Sequence, residues 1–365
     1  STLAGTVTTL YGGLGSDTFY VSGDVFGTVV DAQYAKVAHS TTNILGDLIL
    51  EGGESDITWT FNKAAMLPTE TAAVPVEVTV ATDETIKTDT LVVFNDGSTS
   101  DDNGQLTTTR LTGLGMGSNL DYVGFEVVEL LLGSGDDTLT IDTSSLLVNT
   151  NFNFTAGANT VQRNDAGNWK TDGFRVGDAI LVADSTSNEG RYLIGAISAD
   201  GLTLTLAGAA ALTSSANTAR ISRETAITAV HGGGNTLGGK DTITVTGSGT
   251  GSTPVIIYGD TDQDGQRYSG TSGAKSLNAV AFVNAGNDVI DASASTAGIV
   301  IYGGAGDDTI TGSQGDDQIA GGSGADDIDG DSGNDHIYGD GGINADMSTR
   351  LTLSTQVLTM VTAVS

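Results

Sequence analysis

The chain has 365 residues, with 45 acidic against 14 basic side chains, a formal net charge of −31, 52 glycines, 3 prolines and no cysteine. Such a surface repels nucleic acid and anionic membranes, because binding phosphate backbones needs clustered Lys and Arg. The missing cysteine excludes disulfides, thiol catalysis and cysteine metal centres, and no apolar run reaches the 18 residues of a membrane-spanning helix.

The length suits two or three domains. The opening, STLAGTVTTL, has no basic n-region and so reads as no signal peptide. It begins in mid-pattern, and LTLSTQVLTMVTAVS at the other end reads as an unfinished strand region, so a segment of a longer chain is expected.

At 12–20, GGLGSDTFY combines small turn-permissive residues, one carboxylate (Asp17) and an aromatic residue that would point inward (Phe19). GGESDITW at 52–59 and GGKDTITV at 238–245 are degraded copies, and LGSGDDTLT at 132–140 is a nearly complete one built on Asp137. Each of these aspartates either binds a metal or closes an ordinary Asx-type turn. Between them lie period-two alternations that predict strands: VEVTVAT (76–82), DTLVVF (89–94), FEVVELLL (125–132) and TPVIIYG (253–259). Helical periodicity is limited to a turn around Asn62–Leu67.

Asn168–Ile221 contains no copy of the motif. It carries a Trp and short strands, five by this reading, separated by turns at Asp172-Gly173, Gly177-Asp178, Asn188-Glu189-Gly190 and Asp200-Gly201. This predicts a small inserted antiparallel β-barrel, with a β-rich loop excursion as the alternative.

Gly234–Lys240 has the spacing of a phosphate-binding loop, but Asp241 stands where Ser or Thr should be and a strand follows instead of a helix. A degraded cation turn explains it better. Asp260, Asp262 and Asp264 open like an EF-hand loop, yet Thr271 replaces the bidentate Glu at the twelfth position, and no flanking helices are expected. A calcium loop of other geometry and a solvated acidic turn both remain open there. VNAGNDVID at 283–291 repeats the motif around Asp288.

Residues 303–338 read GGAGDDTIT, GSQGDDQIA, GGSGADDID, GDSGNDHIY. Asp308, Asp317, Asp326 and Asp335 recur every nine residues, and so do Ile310, Ile319, Ile328 and Ile337. A flexible linker has no reason to hold an isoleucine in that register. Two nonapeptides make one coil of 18 residues, which stacks the Asp308 loop on that of Asp326 and the Asp317 loop on that of Asp335. Glycines at Gly304, Gly306, Gly315, Gly322, Gly324 and Gly333 permit sharp turns and bring backbone carbonyls to the loop. Carbonyls and carboxylates make an all-oxygen shell, which suits Ca²⁺ with six to eight ligands at about 2.3–2.6 Å; no imidazole or thiolate favours zinc or copper. Two coils are short for a free-standing stack, so the block is expected to continue upstream β-structure.

These nonapeptides resemble the RTX (repeats-in-toxin) family of secreted bacterial proteins. The resemblance implies a calcium-binding parallel β-roll. Residues 112–141 and 258–273 also resemble a cassette repeated in giant bacterial RTX surface proteins, and the barrel resembles modules of the same proteins.

The expected fold is therefore all-β: a parallel β-helix or β-roll solenoid with stacked calcium turns and an inserted small antiparallel β-barrel. Its parts are 1–150 (solenoid with isolated calcium turns), 151–225 (barrel), 226–302 (solenoid), 303–345 (nonapeptide roll) and 346–365 (strand region leading to a next unit). His39, His231 and His336 are far apart, no protease or lipase motif occurs, and Gly330-Asp331-Ser332-Gly333 falls in phase with the nonapeptides. Asn153-Phe-Thr155 is a chance glycosylation sequon. The expected role is structural: a non-enzymatic extracellular scaffold, adhesin or filament segment that folds on several Ca²⁺ ions and self-associates head to tail. The rival is the calcium-binding secretion module of an exported protease, lipase or epimerase.

Overall fold

The computed structural model describes residues 2–12, 16–22, 40–52, 89–95, 97–144, 147–176, 178–208, 212–223, 226–233, 240–247, 255–260, 268–269, 276–277, 286–340, 351–354 and 357–360. The expected strand at 76–82, the turn at 62–67, and the ligand candidates Asp262 and Asp264 lie outside the described residues.

The described chain is all-β, with one 3₁₀ turn at Ala156–Ala158. Two long sheets are laid down alternately as the chain winds. A ten-stranded sheet runs, in spatial order, through Val7–Tyr11, Asp47–Glu51, Leu120–Val123, Arg110–Gly113, Asn103–Thr107, Thr138–Asp142, Thr242–Gly247, Val289–Ser295, Thr309–Thr311 and Asp327–Asp329. An eight-stranded sheet runs through Thr18–Val21, Thr90–Phe94, Val127–Leu131, Ile227–His231, Val255–Tyr258, Val300–Ala305, Gln318–Ser323 and His336–Asp340.

Aliphatic side chains hold the two sheets together in register. Across the eight-stranded sheet, Val21, Val93, Leu130, Val230, Ile257, Ile301, Ile319 and Ile337 are successive partners in one inward column. Across the other, Leu139, Ile243, Ile290, Ile310 and Ile328 form its counterpart. Both columns contribute to one continuous core. The eight-stranded sheet is buried on its outer face too, where His231, Tyr258 and Tyr302 stack at 4.9 and 5.2 Å between centroids. That two-sided burial accounts for the continuous apolar runs in its strands.

Pairing is parallel throughout the eight-stranded sheet, but the ten-stranded sheet departs from the expected uniform parallel stack. Arg110–Gly113 pairs antiparallel with both Asn103–Thr107 and Leu120–Val123. The turn at Thr107–Thr109, where the Thr107 hydroxyl accepts from the Thr109 N–H at 3.4 Å, reverses the chain inside one coil.

A closed six-stranded antiparallel barrel interrupts the winding between Thr138–Asp142 and Ile227–His231. Its strands are Leu147–Thr155, Thr160–Arg163, Ala179–Ala183, Gly190–Ile197, Thr203–Leu206 and Ser215–Arg223. The expected five strands within Asn168–Ile221 are four, and two more come from before Asn168. The alternation of Phe152, Phe154 and Val161 feeds the barrel's own core. There Trp169 stacks on Phe152 at 5.7 Å and meets Phe174 edge-on at 5.0 Å. Two short antiparallel pairs complete the described strands: Tyr268–Ser269 with Ser276–Leu277, and Leu351–Ser354 with Val357–Met360.

Candidate metal centre

Each coil turns twice, and many of the turns end on an acidic residue just before the next strand. In the turns that lead into the ten-stranded sheet, these residues form an unbroken ladder. The N–H of Asp102 donates to Asp137 Oδ1 at 2.8 Å, Asp137 to Asp241 at 2.8 Å, Asp241 to Asp288 at 2.8 Å, Asp288 to Asp308 at 2.8 Å, and Asp308 to Asp326 at 3.1 Å. A second ladder runs along the turns into the eight-stranded sheet. Asp17 donates to Asp89 at 2.7 Å and Asp89 to Glu126 at 2.7 Å; further on, Ile299 donates to Asp317 at 2.7 Å and Asp317 to Asp335 at 3.1 Å. A backbone N–H bonded to a carboxylate is stronger than one bonded to a neutral acceptor, so each coil is tied to the next by a charged rung.

Each rung occupies one oxygen of the carboxylate that accepts it. In Asp241 and Asp308 the other oxygen, Oδ2, is buried without a hydrogen-bond partner, and so is Oδ2 of Asp17. Around it the first glycine of the turn leaves room: a Cβ on Gly303 would lie 2.5 Å from Asp308 Oδ2 and 2.5 Å from the Gly321 carbonyl oxygen. Glycine therefore keeps open a space faced by a carboxylate and by a carbonyl of the adjacent coil. The turn backbone also demands it. Gly304, Gly306, Gly322, Gly324 and Gly333 have φ of +121°, +143°, +117°, +142° and +144°, which L-residues rarely adopt. At Gly315 a Cβ would instead lie 2.5 Å from the backbone nitrogen of Gly298.

Electrostatics sharpens the picture. Burial pushes the Asp308 carboxyl up to about 8, with the neighbouring Asp288, Asp326 and Asp307 charges adding to it. Burial and the adjacent Asp288 push Asp241 up to about 10, and burial raises Asp137 and Asp317 to about 6. Among the described residues, the charges that act most strongly on Asp241 and Asp308 are all carboxylates. Carboxylates buried this way must be protonated or must share a cation.

Among the described residues, no three His, Asp or Glu side chains converge on one point, so a cation here would be completed by backbone oxygens. The donor set is oxygen only, as Ca²⁺ requires, and the orphaned Asp308 oxygen beside the open Gly303 cradle fits such an ion. Residues 300–328 and 311–344 match the RTX calcium-binding nonapeptide repeat, in four copies. The chain carries the RTX calcium-binding repeat. A search of curated proteins finds no match to the chain. RTX repeats bind calcium and are typical of secreted bacterial proteins.

The sequence candidates fall on this frame in different ways. Asp308 and Asp326 stack 18 residues apart, as do Asp317 and Asp335. Asp137 and Asp288 lie on the same ladder as Asp308, and Asp17 opens the other one. Asp260 lies elsewhere in the turn, where its Oδ1 accepts from the Gly286 N–H at 2.8 Å. Asp89, Asp102 and Glu126 are rungs that the nonapeptide pattern did not single out, whereas Asp241 belongs to the degraded copy at 238–245. A shorter signal marks several rungs, an aspartate followed by Thr and an aliphatic or aromatic residue: Asp17-Thr18-Phe19, Asp89-Thr90-Leu91, Asp137-Thr138-Leu139, Asp241-Thr242-Ile243 and Asp308-Thr309-Ile310. A second, exposed row was also missed. Asp101, Asp136, Asn287, Asp307 and Asp316 accept N–H groups from neighbouring coils at 2.8–3.2 Å, as in Ala325 to Asp307 at 2.9 Å and Asn334 to Asp316 at 2.8 Å.

Proposed function

We propose that this chain is a calcium-stapled β-solenoid segment of a large secreted bacterial surface or matrix protein, a structural element rather than a catalyst. The observation that carries the reading is the aspartate ladder. It extends the chemistry of the nonapeptide turns from Asp326 back to Asp102, far outside the residues that match the repeat. In the nonapeptide block, Asp308 and Asp326 of one edge and Asp317 and Asp335 of the other would hold the ions together with turn carbonyls. Bound calcium supplies the positive charge that lets these buried carboxylates stay ionised.

The chain's own residues do the rest. Rungs fix the spacing of coils, glycines keep the cradle open, and the isoleucine columns hold the two sheets face to face. With a net charge of −31, the chain repels itself until cations are present. Folding is then withheld at low calcium and released outside the cell. Head-to-tail association fits the two ends of the stack: Val7, Leu10 and Tyr11 are exposed on one edge strand and Ile337 on the opposite one.

The test is a calcium titration of the full chain followed by far-UV circular dichroism and light scattering. Calcium-dependent gain of β-structure supports the proposal, and growth of large particles supports end-to-end assembly. Folding indifferent to calcium and to chelator would overturn it.

A further inference from the structure

We infer that the barrel is clamped onto the coil stack through Arg223, which reaches the tip of the reversed hairpin at 103–113, and that it holds the middle coils together without a cation. The inserted barrel and the strand that runs backwards are then two halves of one device. The inference stands apart from the calcium reading.

Arg223 ends the barrel strand Ser215–Arg223, where a basic side chain ordinarily reaches solvent. It is instead only 6% exposed. Its side-chain hydrogen bond crosses 115 residues of sequence, from Nη2 to Thr108 Oγ1 at 3.0 Å. Thr108 sits in the turn between Asn103–Thr107 and Arg110–Gly113, where the Tyr122 hydroxyl donates to the Thr107 carbonyl. The reversal is what brings a loop tip to this place. Asp178, buried in the loop before Ala179–Ala183, supplies the opposite charge. Both stems of the barrel are fixed as well. The Thr143 N–H and hydroxyl donate to the Thr246 carbonyl of the following coil at 2.8 and 3.0 Å, and the Ile227 N–H donates to the Glu126 carbonyl of the preceding one at 2.9 Å.

The coils at this level lack the tie that the others have. After Glu126, the residue before the next three strands of the eight-stranded sheet is Ala226, Pro254 and Ile299, and a carboxylate returns only at Asp317. Charged acceptors for a backbone rung are therefore missing from that edge over three coils in a row, and the barrel enters at the first of them. A hydrogen bond made by a buried guanidinium is well suited to replace them, because stripping its acceptor leaves a buried charge poorly satisfied. The barrel is also fit to act when cations are absent. Residues 147–223 contain six acidic and six basic side chains, so no net charge repels it while the rest of the chain carries all of the −31.

Hydrogen exchange of the full chain, read by mass spectrometry in chelator and in calcium, tests the clamp. Arg223→Met keeps the stem and removes the donors. Thr108→Val keeps the shape, removes the acceptor and lies outside the barrel. In chelator the parent should keep slow exchange at 103–113 and 138–143. Both variants and their double should exchange there about tenfold faster, all by the same factor, with the barrel strands unchanged. Parental exchange at 103–113 in Thr108→Val would overturn the inference, and so would additive effects in the double variant or a parent that exchanges freely there in chelator. Should Arg223→Met unfold the barrel, Thr108→Val decides alone. Protection of 303–338 that ignores chelator would sink the calcium reading instead and leave this comparison intact.

Discussion

The backbone N–H of Asp308 donates to Oδ1 of Asp326 at 3.1 Å, a contact 18 residues long in sequence and one coil long in space. On the reading proposed above, one carboxylate thus has two jobs, a rung through Oδ1 and a cation ligand through Oδ2. Asp308→Asn separates them, because the amide keeps an acceptor for the Asp288 N–H but loses the charge. In saturating calcium the variant should be less stable, by about 1–3 kcal/mol. In chelator at pH 8 the order should reverse, since no charge is then buried. Thermal unfolding of both proteins in both buffers checks this, and a variant weaker in both would show that the charge is not what the cation uses.

The pH dependence should also change sign with calcium. Asp137 and Asp317 titrate near 6, Asp308 near 8 and Asp241 near 10 in the cation-free fold, all raised chiefly by burial. A carboxyl raised in the folded state stabilises the fold below its unfolded value of about 4 and loses that contribution as pH climbs through the folded value. The chelated protein should therefore be most stable near pH 4–5 and weaken steadily towards pH 8 and beyond. With calcium present, protons compete with the ion, so calcium affinity should fall as pH drops over the same interval. Denaturation midpoints at several pH values, with and without chelator, give the two slopes. Parallel slopes would contradict the shared role of these groups.

Glycine positions in the turns are not equivalent. Gly322 has φ of +117°, and a Cβ there would overlap the Gly304 carbonyl oxygen, whereas nothing lies within 4 Å of one on Gly339. Gly322→Ala should cost roughly 3 kcal/mol or more, and Gly339→Ala should stay within about 0.5 kcal/mol of the parent. Urea unfolding in calcium distinguishes them. Equal effects would mean that the turn backbone adapts.

How much of this could be read from the residues depends on whether the motif is contiguous. At 303–338, glycines, aspartate and isoleucine occur within nine positions, so turn, rung and core were all legible together. At Asp241, Gly238-Gly239-Lys240-Asp241 keeps only a degraded form of the glycine half, and Asp-Thr-aliphatic completes the mark of the rung. Asp89 lacks the glycine half altogether in its neighbourhood. The barrel was legible as a break in the pattern, and its expected span of 151–225 starts inside the first strand, Leu147–Thr155, whose beginning is hidden because Asn151-Phe152-Asn153-Phe154 alternates just as a strand of either sheet does. Period two gives the face of a residue and not its partner strand. The reversal at Arg110–Gly113 was hidden for the same reason.

The barrel should respond to calcium differently from the coils. Its core is a separate cluster around Trp169, Phe152 and Phe174 and has no carboxylate ladder. Two of its acidic groups are neutralised from within: Arg163 pairs with Asp165 at 2.6 Å and with Asp172 at 2.5 Å, and the Asp165 carboxyl is held below its ordinary value by that guanidinium. Arg163 also lies 5.0 Å over the Trp169 ring, and the indole N–H donates to the Leu202 carbonyl at 3.1 Å. Nothing in this arrangement needs a cation. In a Trp59→Phe background, which leaves Trp169 as the sole tryptophan, chelator should remove much of the far-UV β signal while the Trp169 emission stays that of a buried indole. Heating should then unfold the barrel in its own later transition, and Trp169→Ala, at a cost of about 3–5 kcal/mol, should bring that transition forward without changing the number of calcium ions bound. A single transition shared by both signals at every calcium level would refute the independence of the barrel and make the cations a staple for the whole chain.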